Sequence, residues 1–135
     1  MVLGLKSNFM PAVLNSSGKG LDPSKNTALT HLYCSTNKLT SLDISKNPKL
    51  EWVGCSYNQL TALNAGNNPA LWSLSLSDNQ LSFRALSDLF ETLHENDMFY
   101  ELTGARFNRT IVVSNNPGFN YHNFSNATAK GWMVK

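Results

Sequence analysis

Two cysteines, three histidines and nine acidic residues are the side chains of this 135-residue chain with the types that could do chemistry near neutral pH. Nucleophilic catalysis needs a Ser or Cys brought together with a His and an acid, yet no serine sits in G-x-S-x-G. Glycoside hydrolysis needs two carboxyl groups facing each other at ~5–9 Å. Asp22, Asp43, Glu51 and Asp78 fall at different points of the repeat described below, so no such pair is expected. A metal needs clustered ligands, but His31, His94 and His122 are isolated and neither C-x-x-C nor H-E-x-x-H occurs. No glycine-rich phosphate loop is present. These readings assign no catalytic residue, no metal and no cofactor, and the expected activity is binding rather than catalysis.

The elements that position these residues are set by a repeat. Residues 21–41, 42–62 and 63–83 are three blocks of equal length laid end to end. Leu21, Leu42 and Leu63 coincide. So do Asn26, Asn47 and Asn68; Leu29, Leu50 and Leu71; Leu32, Val53 and Leu74; Asn37, Asn58 and Asn79; and Leu39, Leu60 and Leu81. Cys34, Cys55 and Leu76 form a further apolar column. The pattern L-x-x-L-x-[CL]-x-x-N-x-L in triplicate predicts a solenoid of stacked coils. Alternation along Leu32-Tyr33-Cys34 turns Leu32 and Cys34 inward on a short strand. The following Asn, where the chain bends away, has an amide that can satisfy backbone groups of its own and neighbouring coils. One coil cannot bury its apolar face alone, so stability comes from stacking. The expected fold is an α/β repeat: a leucine-rich-repeat solenoid with about six short parallel strands on its concave face and an irregular convex side.

The flanks carry weaker copies. Leu3-Gly-Leu5-Lys-Ser-Asn8-Phe-Met10 fits L-x-L-x-x-N-x-L, followed by a loop over residues 13–20. Ile111-Val-Val113 fits a strand, and Trp132-Met-Val134 follows it at the same repeat length, with Trp132 plugging the last core layer. Between Leu74 and Ile111, Leu86, Leu89, Phe90 and Leu93 mark the apolar face of a helix with Ser82 as N-cap. The Asn116-Pro-Gly118 stretch predicts a tight turn. Residues 1–20 are thus a degenerate first repeat and loop, 21–83 three regular repeats, and 84–135 a C-terminal helix with capping strands, all in one domain. The stretch from Met98 to Phe107 is unassigned.

The segments Cys34-Ser-Thr-Asn37-Lys-Leu39 and Cys55-Ser-Tyr-Asn58-Gln-Leu60 resemble bacterial leucine-rich-repeat proteins of the internalin J-like, cysteine-ladder type. The ending, with Ile111 to Val113, Asn116-Pro-Gly118 and Ala127-Thr-Ala-Lys130-Gly-Trp132, is similar to the C-terminal cap of Bacteroidetes surface repeat proteins. The resemblance departs at Leu76, where the cysteine is lost. It implies a secreted or cell-surface bacterial protein, and leaves the partner open. A bridge between Cys34 and Cys55 is sterically conceivable on adjacent coils. Inward cysteines in such a column more often serve as small hydrophobes, and unreactive free thiols are expected.

Outward strand positions are left for a partner: His31, Tyr33 and Ser35; Trp52, Gly54 and Ser56; Ser73, Ser75 and Ser77; then Thr110, Val112 and Ser114, with Tyr57 and Asp78 just beyond the strands. Tyr33 and Trp52 form an aromatic corner of the kind that anchors binding. The candidate partner-binding residues are His31, Tyr33, Ser35, Trp52, Ser56, Tyr57, Ser73, Ser75 and Ser77. A protein partner is the first expectation. Stacking of a sugar ring on the aromatics, with adjacent hydroxyls, is the alternative. A third reading is a spacer or cap cut from a longer surface protein, since the chain opens inside a repeat. An enzyme would need a site in the 13–20 loop or the 98–108 segment.

Composition narrows the partners. Eleven basic against nine acidic residues leave +2, with no basic cluster to hold nucleic acid. No run approaches the ~20 apolar residues of a membrane helix. The N-terminus lacks the charged-then-apolar layout of a secretory signal. Four sequons, at Asn15, Asn108, Asn123 and Asn126, fit chance in so Asn- and Ser-rich a chain.

Overall fold

The computed structural model describes residues 9–11, 21–95, 109–121 and 124–135. Six short strands lie parallel in chain order in one sheet: β1 (Phe9–Pro11), β2 (His31–Tyr33), β3 (Trp52–Gly54), β4 (Ser73–Ser75), β5 (Arg109–Val112) and β6 (Trp132–Val134). Helix α1 (Phe83–Thr92) follows β4, and the short α2 (Ser125–Ala129) precedes β6.

The columns read from the sequence become rows of the core. Leu32 pairs with Val53 and Val53 with Leu74, and none of the three is accessible to solvent. Cys34, Cys55 and Leu76 are buried beside them, and Leu39, Leu60 and Leu81 close the inward set. Burying one such leucine contributes about 1.5–3 kcal/mol, but only when the next coil covers it.

The repeated asparagines do what their amides allow. Asn58 Nδ2 donates to the carbonyls of Cys34 and Cys55, at 2.9 and 3.0 Å, and Asn79 does the same to Cys55 and Leu76. Asn116 continues the ladder to Leu76 and Val113. Each amide is buried and bonds both its own coil and the one before. Immediately upstream, Thr36, Tyr57, Asp78 and Asn115 all take left-handed backbone, φ 55 to 59°, where the chain leaves the sheet. A second ladder, Asn47 to Pro23 and Asn26 and Asn68 to Ile44 and Asn47, ties the opposite side of the coils.

Helix α1 begins where expected, with Ser82 Oγ accepting from the Ala85 N–H at 3.2 Å, and it buries Leu86, Leu89 and Phe90, with Leu93 buried at its end. The turn at Asn116-Pro-Gly118 is present, and a Cβ on Gly118 would stand 2.4 Å from the Phe83 nitrogen. Only glycine allows that approach of the turn to the start of α1.

Both ends depart from the expected register. The first strand is centred on Met10, paired with Leu32, not on the Leu3 segment, which lies outside the described residues. Met10 keeps the first coil close to the length of its neighbours, whereas the Leu3 register would need a long insertion. At the other end Ile111 pairs with Val134, and Trp132 with Arg109. The slip is two residues, so the inward and outward faces are preserved, and Trp132 still fills the last core layer. The 13–20 loop, the 98–108 segment and His122 lie outside the described residues.

Candidate binding face

The outward positions of β2 to β4 fall into two halves. On the first, three rings sit together. His31 and Tyr33 stack at 6.4 Å between centroids, and Tyr33 lies 4.1 Å from Trp52 with 32° between planes. Neighbouring strands stand ~4.8 Å apart, and Trp52, paired with His31, reaches diagonally to Tyr33, so the two rings meet in a tilted contact. Trp52 reaches this position because the outward residue two places on is Gly54. A Cβ there would lie 2.2 Å from the indole Cη2. The indole thus occupies the space a side chain at 54 would take, beside Tyr33, the register partner of Gly54.

The second half is a patch of hydroxyls. Ser56 Oγ is 2.8 Å from Ser75 Oγ and 3.3 Å from Ser77 Oγ. Ser73 and Ser75 are half-buried outward positions of β4, and Ser35 is exposed. Ser56 itself is buried, so it acts through the network rather than as an exposed contact. Cross-strand serine pairing and the opening left by Gly54 are the sequence signals for this arrangement.

Tyr57 is the most exposed large apolar side chain among the described residues, at 61 %, and projects from the bend beyond the strand. Trp72 is also exposed, in the column of Thr30, Glu51 and Arg109 rather than on the outward strand positions. Thr110, Val112 and Ser114 are half-buried, extending the face across β5.

Groups able to do chemistry are dispersed. Thr30 Oγ1 and His31 Nδ1 share a 2.9 Å hydrogen bond between chain neighbours. Among the described residues no carboxylate is bonded to the other ring nitrogen, and no three His, Cys, Asp or Glu side chains gather where a metal could sit. Cys34 and Cys55 are free thiols, both buried. The hydrogen bond with Cys34, and burial, hold the Cys55 thiol well above the ordinary thiol range.

Arg109 was not singled out by its sequence position. It is buried, its Nη1 donating to the carbonyls of Pro69 and Leu71 at 3.1 and 3.0 Å, with its guanidinium 5.8 Å from the Trp132 ring centroid. The Trp132 indole N–H donates in turn to the His94 carbonyl at 2.8 Å. These contacts close the C-terminal end of the stack and are structural.

No protein-family model matches the chain, and no curated protein matches it. Among solved structures, the functional domain of InlJ from Listeria monocytogenes, which includes a cysteine ladder, is similar in fold. It superposes with a TM-score of 0.58 at 24% identity, over 84% of this chain and 21% of that one. The fold is a leucine-rich-repeat solenoid. This solenoid spans about a fifth of the length of that neighbour, and carries inward cysteines in two adjacent coils. No helix among its described residues is long and apolar enough to cross a membrane.

Proposed function

We propose that this solenoid is a non-catalytic binding module that holds a segment of another macromolecule along its concave face, outside a bacterial cell or at its surface. The observation that carries this reading is the close pair of Tyr33 and Trp52, 4.1 Å between centroids, on the outward face of the sheet. Large rings cost little conformational entropy to hold and are the usual anchors of contact surfaces. Both are braced by neighbours, so the surface is formed before a ligand arrives. The likeness to InlJ supports a binding rather than a catalytic role, and repeat architecture by itself admits a protein or a polysaccharide as the occupant.

The test is ligand capture from secreted proteins and from polysaccharide extracts with the immobilised chain. Tyr33→Ala plus Trp52→Ala should abolish capture while the melting curve stays cooperative. Equal capture by the double variant would remove the concave face as the site.

A further inference from the structure

We infer that the ligand of this face is an uncharged polysaccharide, a neutral hexose chain with one ring packed on Trp52 and hydroxyls bonded by the Ser56–Ser75–Ser77 cluster. The inference rests on the concave-face reading above and names its ligand class. Its first support is electrostatic. The twelve outward positions from Ser35 and its column mates back to His31 and its own, across β2 to β5, hold no Asp, Glu, Lys or Arg. Glu51 and Asp78 only flank the face. A charged polymer would find no counter-charge, and protein contact surfaces ordinarily use charged pairs for register and specificity.

The second support is the placement of the indole. Tyr33, on the β2 side, takes one face of Trp52. The indole reaches over Gly54 on β3, and the next strand, β4, carries Ser73 and Ser75 outward, with Ser77 just beyond it. Gly54 lets the indole lie over the sheet at that boundary. An aromatic wall beside a hydroxyl floor matches a sugar ring, which has an apolar face of C–H groups and a polar rim. Third, three hydroxyls joined by two contacts leave one O–H donor and several lone pairs unused, since each offers one O–H and two lone pairs. The coil spacing of ~4.8 Å is close to the length of a hexose in an extended chain, so successive sugars can meet successive coils.

The experiment is a neutral glycan array, followed by calorimetry on the full chain with cello-, xylo-, manno- and laminarihexaose, and with heparin and polygalacturonate as charged probes. At least one neutral hexaose should bind and the charged polymers should not. Trp52→Ala should weaken that binding about tenfold or more. Gly54→Ala should do the same without deleting a ring, because its Cβ displaces the indole, and a shift in tryptophan fluorescence reports the displacement. Trp72→Ala should leave affinity unchanged. A blank neutral array, or binding of charged polymers alone, overturns the inference. If a captured protein is instead lost in Trp52→Ala, the concave-face reading stands and the sugar class fails. Glycan binding indifferent to both Trp52→Ala and Gly54→Ala overturns the two together.

Discussion

Asn58 accepts the Leu39 backbone N–H on its Oδ1 at 3.0 Å, bonding the coil before its own. The same side chain donates to the Cys34 and Cys55 carbonyls. Neighbouring amides also reach those carbonyls, because Asn37 donates to Cys34 and Asn79 to Cys55. The Leu39 N–H is the group that a deletion strands. An unsatisfied buried donor costs ~1–3 kcal/mol and each lost bond about 1 more. Asn58→Ala should therefore destabilise by about 3 kcal/mol in urea denaturation. Asn58→Asp keeps the acceptor but turns an oxygen toward two carbonyls, and should lose at least as much. A loss below about 1 kcal/mol in both would show that the ladder does not hold the coils.

Thr36 adopts φ 58° with an exposed side chain. Left-handed backbone costs an L-residue about 1–2 kcal/mol, and a β-branched one is poorly suited to it. Asn115 occupies the matching bend of a later coil. Thr36→Asn should raise stability by about 0.5–1 kcal/mol, read as a melting point higher by about 2–4 °C per kcal/mol. An unchanged or lower melting point would count against strain at the bend.

Thiol labelling tests the inward column. Cys34 and Cys55 are buried and free, and Cys55 resists ionisation. Iodoacetamide at mildly alkaline pH should leave both unmodified in the folded protein, and label both across the unfolding transition. Rapid native labelling of Cys55 would place it outside the core.

Asp43 Oδ1 accepts the Ser45 N–H at 2.9 Å, and Asp22 binds Ser24 in the same way. The Asp43 carboxyl lies below its ordinary value, chiefly through the backbone bond from Ser45 and then its side chain. A carboxylate whose folded pKa is depressed stabilises above its unfolded value, about 3.8, and that contribution is lost as pH falls through the folded value. Asn64 makes the equivalent bond to Gly66 without a charge. Asp22→Asn plus Asp43→Asn should therefore flatten the loss of stability below about pH 4 and keep the turns. An unaltered acid limb in the urea midpoint would contradict this.

Lys130 Nζ donates to the Glu91 carbonyl at 2.7 Å and to Phe90 at 3.3 Å, satisfying the end of α1 from forty residues away. Lys130→Met retains the apolar stem and should cost about 0.5–1 kcal/mol. An unchanged melting point would mean that water replaces it fully.

The regular coils were legible because every column there is set by two neighbours, one on each side. Leu32, Val53 and Leu74 could be ranked by position alone. The outer strands have one neighbour, and a local match competes with the stacking register. Leu3 fitted the template better than Met10, and Ile111 lay at repeat distance from Trp132, yet coil length and the α2 turn decide the pairing. On the concave face, Tyr33 and Trp52 were visible as outward residues, but their contact depends on the absence of a side chain at Gly54. That gap can be suspected from a glycine inside a strand. The burial of Ser56 depends on hydroxyls brought from the next coil, which spacing within one coil does not show.

The uniform step from Leu32 to Val53 to Leu74 makes the coil a modular unit of length. Tandem duplication of residues 42–62 would insert one more layer without altering either end, because each layer meets only its neighbours. It would also repeat the Trp52 and Gly54 pair, giving a protein with two adjacent indole platforms and so a ruler for the size of whatever it grips.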